Sequence, residues 1–112
     1  MNTGQDLVSS MFENSERVKM GIDERFKAAT KRAKAEYEYR KTLHEEMTEA
    51  KANGMAATAL YDYCRGIERV AKKRLEREFA QIQEEYCDGM IYYYKTEIRI
   101  AEGQLSAERK GL

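Results

Sequence analysis

The sequence predicts an all-α protein: an antiparallel hairpin of two long helices, coiled-coil-like, with a short helix at the bend. Three observations predict this fold. Proline is absent from all 112 residues, helix-forming residues dominate, and apolar residues recur at steps of three and four along two long stretches. Such spacing places apolar side chains along one side of an α-helix. A narrow apolar stripe needs a partner helix, so we expect the two stretches to pack on each other.

The longer helix is predicted over residues 67–109. Its apolar residues form two runs with coiled-coil spacing, namely Ile67, Ala71, Leu75, Phe79, Ile82 and Tyr86, and then Cys87, Ile91, Tyr94, Ile98, Ala101 and Leu105. Gly89 lies inside this helix, and glycine costs about 1 kcal/mol relative to alanine in a helix interior. The sequence therefore leaves open whether the helix is broken at Gly89.

A second long helix is predicted over residues 15–53, within a single helical domain of residues 15–112 that follows a flexible N-terminal segment, residues 1–14. The expected stripe of this helix consists of Val18, Ile22, Phe26, Ala29, Ala33, Tyr37, Leu43, Met47 and Ala50. Gly21 is interpreted as a minor defect in it. Gly54 should end the helix, because glycine favours the left-handed conformation beyond a helix C-terminus.

Residues 57–64 predict the short helix at the bend, with Leu60 and Cys64 on one face. Charge arrangement supports the antiparallel topology. Folding the chain back around residue 60 brings acidic residues near 45–49 beside basic residues near 69–77. Opposite charges on facing helices favour one register over slipped ones.

No arrangement of residues typical of catalysis occurs in the sequence. His44 is the only histidine, so the HExxH motif of zinc proteases, which needs a second histidine four residues later, does not occur. Cys64 and Cys87 lack metal-ligand spacing, and we interpret both as reduced, buried side chains. We therefore expect a protein that is not an enzyme and holds no metal or cofactor. The sequence has neither a signal peptide nor an apolar run long enough to span a membrane, so a cytoplasmic location is expected.

The C-terminal stretch carries more aromatic residues than one helix stripe can use. Three consecutive tyrosines, residues 92–94, point about 100° apart on a helix and cannot all face one seam. One interpretation places them along the flanks of a thin hairpin. The other is a homodimer or partner interface formed by Met90, Ile91, Tyr92, Tyr93, Tyr94 and Ile98, since tyrosine is favoured at interfaces.

Residues 49–77 also look like a helix-turn-helix, in which a short helix and a glycine precede a basic helix. In that alternative, DNA phosphates would contact Arg65, Arg69, Lys72, Lys73, Arg74 and Arg77. Two features argue against it. The basic helix is far longer than a recognition helix, and acidic residues 45, 46 and 49 could neutralise it.

From about residue 36 to residue 109 the chain resembles small helical proteins of phages and prophages of Gram-positive bacteria. The resemblance rests on the segments EYEYRKTL, NGMAAT, GIERVAKKRLEREF and KTEIRIAEGQLSAER. Ala57 stands where such proteins often carry a proline, and residues 1–35 lie outside the likeness. The resemblance implies a phage accessory protein in the cytoplasm of a bacterial host. Such proteins often bind a host protein, and inhibition of a host defence system, as anti-CRISPR proteins do, is one concrete version. The alternative that it implies is a role in phage DNA transactions.

Overall fold

Three helices make up the computed structural model, which describes residues 3–111. They are α1 (Gly4–Ala52), α2 (Ala57–Arg65) and α3 (Glu68–Gly111). No strand occurs among the described residues. The two long helices pack against each other in antiparallel fashion, with α2 between them in the chain. The predicted all-α hairpin with a short helix at its bend is therefore confirmed.

The start of α1 differs from the prediction. Thr3 and Asp6 form a reciprocal cap: the Asp6 N–H donates to Thr3 Oγ1 at 3.1 Å, and the Thr3 N–H donates to Asp6 Oδ2 at 3.2 Å. Such a cap satisfies N–H groups that a helix start leaves unpaired. Most of the predicted flexible segment is consequently helical, and the predicted helix start at residue 15 is wrong. Met1, Asn2 and Leu112 lie outside the described residues.

The turn after α1 has the predicted glycine conformation. Gly54 adopts φ +89°. Its N–H donates to the Lys51 carbonyl at 3.0 Å, and the Met55 N–H donates to the Ala50 carbonyl at 3.1 Å. This pair of bonds is the Schellman motif, in which a left-handed residue closes the helix C-terminus. The NG dipeptide thus ends α1 for the reason that the sequence suggested.

The short helix and the long C-terminal helix also follow the prediction. In α2, Leu60 and Cys64 are buried, and Gly66 ends the helix with its N–H directed at carbonyls of the last turn. After it, α3 runs from Glu68 to Gly111 and continues through Gly89 without a break.

The hairpin contains two compact units that share α1 and α3. The central unit comprises residues 28–84, and the terminal unit comprises the described parts of residues 1–27 and 85–112. The buried side chains of the central unit are Ala28, Tyr39, Thr42, Leu60, Cys64, Val70 and Ala80. Those of the terminal unit are Leu7, Asn14, Cys87 and Ala101. Small and polar residues in both sets allow helices to approach closely but bury little apolar area.

The second predicted run of α3 is correct, whereas the first run is wrong from Leu75 to Tyr86. In the terminal unit, all six positions of the second predicted run are buried or half-buried. In the central unit, Leu75, Phe79 and Ile82 of the first run are exposed. The positions turned toward α1 there are instead Val70, Arg77, Ala80 and Glu84.

The predicted stripe of α1 needs a similar correction. Ile22 and Phe26 in the terminal unit, and Tyr37 in the central unit, are all exposed. Buried positions of α1 include Asn14, Ala28 and Thr42. Asn14 bonds within its own helix, where its amide group donates to Ser10 Oγ at 3.4 Å. Beside the helix contact of the central unit, the exposed Arg32 donates to Glu84 on the facing helix.

Candidate protein-contact surface

The terminal unit presents a second line of residues on α3, away from α1, in which large exposed aromatic and aliphatic side chains alternate with small ones. This outer row consists of Tyr86, Gly89, Tyr93, Thr96 and Ile100, at alternating steps of three and four. Its three large members are well exposed: Tyr86 at 67 %, Tyr93 at 54 % and Ile100 at 49 %. The row has the spacing of a coiled-coil seam without a helix packed on it within the described chain.

The position of the outer row follows from helix geometry. Cys87, Ile91 and Tyr94 of α3 are turned toward α1. At about 100° per residue, the row lies on roughly the opposite side of α3 from these three residues. The outer row and the side of α3 that faces α1 therefore have the same heptad spacing. One side packs in the fold, and the other is exposed to solvent.

A groove runs beside the outer row on the surface of the terminal unit. Its volume is about 240 Å³, and its lining residues are Arg17, Met20, Gly21, Glu24, Tyr86, Cys87, Met90 and Tyr94. Tyr86 belongs to both the groove and the row. Most of the lining is apolar, while Arg17 and Glu24 place opposite charges at its edge. An apolar side chain from another protein could enter this groove while polar groups remain near its rim.

The predicted interface residues fall into two groups. Tyr92 and Tyr93 are exposed, and Met90 is half-buried in the groove. Ile91 instead packs on Gly21, and Ile98 is half-buried at the spacing of the helix contact. The structure therefore does not bring all of the predicted interface residues to one free surface.

Tyr94 also faces α1. The guanidinium carbon of Arg17 lies 5.6 Å from the centroid of its ring. Tyr93 and Tyr94 meet edge to face, with ring centroids 5.3 Å apart and planes 73° apart. This aromatic contact joins an outer-row residue to one that packs in the fold.

Tyr86 and Ile100 were not recognised from the sequence as surface residues, whereas Gly89 and Thr96 lie within the stretch 89–98 that was expected at the centre of a homodimer. Their signal was present, since they repeat at heptad spacing on α3. Tyr86 was instead assigned to the stripe facing α1. The sequence of one helix cannot show which of two stripes with similar spacing packs against the neighbouring helix, because the answer depends on the side chains of that neighbour.

The central unit separately exposes apolar residues on its part of α3, and it also holds the six basic residues of the DNA-binding alternative. Among these six residues, Arg69 forms hydrogen bonds with two carboxylates. It donates to Glu45, and to Glu46 Oε1 at 2.9 Å. The hydrogen bond to Glu45, then that to Glu46, raises the pKa of Arg69, and the bond from Arg69 lowers the pKa of Glu45.

Other basic residues of the set are also paired with protein groups. Arg77 donates to Glu36 Oε2 at 3.2 Å, and its guanidinium carbon lies 4.4 Å from the ring centroid of Tyr39. Lys73 lies 3.6 Å from a carboxylate oxygen of Glu76.

Arg65, Lys72 and Arg74 complete the set. The guanidinium carbon of Arg65 lies 5.3 Å from the ring centroid of Tyr61, and its Nε is buried with no hydrogen-bond partner among the described residues. Lys72 is exposed, and Arg74 is half-buried. The arrangement differs from a row of free cations along a DNA backbone.

Groups that could support chemistry are dispersed. Among residues 3–111, no cluster of three or more His, Cys, Asp or Glu side chains could hold a metal ion. Cys64 and Cys87 are buried free thiols, and His44 is exposed. Within the same residues, none of the helices has a stretch sufficiently long and apolar to cross a membrane.

Comparison of the chain with protein-family models, curated proteins and solved structures gives no match.

Proposed function

We propose that this protein is a non-enzymatic phage or prophage accessory protein that acts by protein–protein contact. The exposed outer row of α3 is the observation that carries this proposal. Large apolar side chains at coiled-coil spacing gain most when a second helix covers them. Here the face that would ordinarily be polar carries Tyr86, Tyr93 and Ile100 instead.

The composition of the surface suits recognition of another protein. Tyrosine combines a large apolar ring with a hydroxyl that can remain hydrated, which favours it at interfaces. The adjacent groove, with Met20 and Met90 in its lining, offers adaptable apolar contacts. Together with the resemblance to phage proteins, these features support binding of a bacterial host protein, and inhibition of a host defence system is the concrete version that we propose.

The DNA-binding alternative, through residues 49–77, receives less support. Arg69 and Arg77 form hydrogen bonds with carboxylates, and the formal net charge of the chain is zero. A domain that binds DNA through phosphates ordinarily presents an uncompensated basic surface. A phosphate contact by Arg69 would have to replace bonds to Glu45 and Glu46.

A phage-plating experiment tests the proposal. The protein is expressed in a Gram-positive host that carries an active defence nuclease directed at a test phage. Wild type should restore plaque formation, and Tyr86→Glu with Tyr93→Asp should abolish that restoration. Lys95→Glu, an exposed change on another face of the same helix, should leave it intact. Equal activity of all three proteins would contradict a role for the outer row, and no restoration by wild type would contradict inhibition of that defence.

A gel-shift measurement on random duplex DNA at low salt addresses the alternative. The protein-contact proposal expects no shift. If a shift occurs, and if Lys72→Glu with Lys73→Glu abolishes it, the DNA-binding alternative replaces the proposal. Binding of that kind should also weaken steeply as salt rises.

A further inference from the structure

We propose that the outer row of α3 is covered by the outer row of a second copy, packed antiparallel about a two-fold axis at the level of Ile91. This inference rests on the proposed function and names a second copy as the protein that covers the outer row, which leaves the adjacent groove for a host protein. A two-fold pair requires one surface to match itself when it is turned end to end. Four of the five residues of the outer row meet that requirement in their sizes, and the charged residues beside the row meet it as well.

Side-chain sizes match across the proposed pair. Gly89 and Tyr93 are equidistant from Ile91 along the chain, and so are Tyr86 and Thr96. In the antiparallel register, Gly89 therefore lies opposite Tyr93 of the second copy, and Tyr86 lies opposite Thr96 of the second copy. Each layer combines a large aromatic residue with a small one, which allows side chains to interdigitate.

A parallel pair in register would not match in this way. It would place Gly89 against Gly89 and leave a gap, with Tyr93 against Tyr93 one turn away. Voids of this kind lose dispersion contacts and cost stability. The sizes in the outer row therefore favour the antiparallel arrangement over the parallel one.

The flanks of the outer row are also compatible with two-fold pairing. Met90 flanks it on one side and would lie near Met90 of the second copy. Tyr92 flanks it on the other side and would lie near its own counterpart. Glu85 and Arg99 are symmetric about Tyr92, so each Glu85 would face Arg99 of the second copy. Opposite charges at flanking positions set orientation and register in coiled coils.

Gly89 leaves room for this approach. A Cβ placed on Gly89 would meet nothing within 4 Å in the monomer. A larger side chain at this position is therefore compatible with the fold of one chain. The same side chain would occupy the space that Tyr93 of the second copy needs, so a change at Gly89 can separate pairing from folding.

The oligomeric state of Gly89→Leu provides the first test. Sedimentation equilibrium across the micromolar range should show a dimer for wild type and an increase of at least about tenfold in the dissociation constant for Gly89→Leu, because overpacking an interface costs affinity. Lys95→Leu is the matched control, since Lys95 is exposed and points well away from the row, and it should remain dimeric. Circular dichroism should show equal helix content in all three proteins. A monomeric wild type, or an unchanged dissociation constant for Gly89→Leu, would overturn the proposal.

Cysteine crosslinking tests the register independently. Met90→Cys and Tyr92→Cys should each yield a disulfide-linked dimer on mild oxidation, because each position lies near its own counterpart at the axis. Lys95→Cys should not, and the buried Cys64 and Cys87 should give little background. Efficient crosslinking through Lys95→Cys alone would overturn the arrangement.

The outcomes distinguish this inference from the proposed function. A wild-type protein that is monomeric but still restores plaque formation, and loses that activity with Tyr86→Glu and Tyr93→Asp together, overturns the second copy as occupant and retains a different protein as partner. A dimer that depends on the outer row but has no effect on plating supports the pairing and contradicts the proposed function.

Discussion

Gly21 of α1 lies directly against Ile91 of α3. A Cβ built on Gly21 would be 2.9 Å from Ile91 Cγ1, closer than real Cβ contacts come. The absence of a side chain at Gly21 therefore allows the two helices of the terminal unit to pack at this distance. The sequence interpretation of Gly21 as a minor helix defect missed this role, because the reason for the glycine is a residue far away in the chain.

Gly21→Ala should destabilise the protein even though alanine favours helix. The gain in helix propensity is up to about 1 kcal/mol, whereas overpacking a helix contact typically costs about 1–3 kcal/mol. We expect a net loss of stability in urea unfolding. Combining Gly21→Ala with Ile91→Ala should relieve part of the clash and recover part of the lost stability. The effects of the two changes on the free energy of unfolding should therefore be non-additive.

Gly103→Ala is the control for this substitution. A Cβ on Gly103 would meet nothing within 4 Å, and the residue lies inside α3. This change should stabilise the protein by up to about 1 kcal/mol. A stabilising Gly21→Ala of similar size would show that the contact with Ile91 does not limit the helix approach.

Arg77 should contribute through its planar guanidinium as well as its charge. It stacks over the buried ring of Tyr39 and bonds to Glu36. Arg77→Lys keeps the charge but loses the stacking and the fork of donors, so we expect it to cost about 1 kcal/mol in urea unfolding. Arg77→Met, which keeps much of the apolar stem, should cost more if the ion pair contributes. No change with either variant would contradict a stabilising role for this contact.

Stability should fall at acid pH partly through Glu36. Hydrogen bonding from Arg40, followed by bonding from Arg77, holds the pKa of Glu36 below its ordinary value despite the opposing effect of burial. A carboxyl group with a lower pKa in the folded state stabilises the fold above its unfolded-state pKa, and this contribution is lost as pH falls through the folded-state pKa.

Urea unfolding from neutral pH to below pH about 4 would measure this contribution of Glu36. Glu36→Gln should be less stable than wild type at neutral pH and should lose less stability on acidification. Arg40→Gln should show part of the same change, since it removes the largest cause of the lowered pKa. Parallel pH profiles for wild type and Glu36→Gln would contradict the linkage.

Much of the fold was predicted from local signals along the chain. The NG turn predicted the end of α1, since Gly54 takes the left-handed conformation there. The apolar pair Leu60 and Cys64 predicted the buried face of α2. The start of α1 could also have been predicted, because Thr3 and Asp6 have the spacing of a capping box. That signal was overlooked because the surrounding segment is polar and contains glycine.

The correct packing face was not a local property. On α3, Phe79 and Ile82 outrank Arg77 and Glu84 in hydrophobicity, so the sequence favoured the wrong stripe for the central unit. Arg77 and Glu84 face α1 because Glu36, Tyr39 and Arg32 there supply their partners. The candidate contact surface was predicted only in part for the same reason, since deciding which tyrosines remain exposed requires the position of α1.

The central claim is that α3 stabilises the fold of one chain through the side turned toward α1, while its exposed apolar side chains contribute little to that fold. Equilibrium urea unfolding of Val70→Ala and Ile82→Ala tests it most directly, because both residues lie on α3 in the central unit at 0 % and 59 % exposure. Val70→Ala should lower the free energy of unfolding by about 2 kcal/mol, and Ile82→Ala, although it removes more atoms, should change it by no more than about 0.5 kcal/mol. A larger loss for Ile82→Ala than for Val70→Ala would contradict the claim, since the exposed side of α3 would then belong to the folded core.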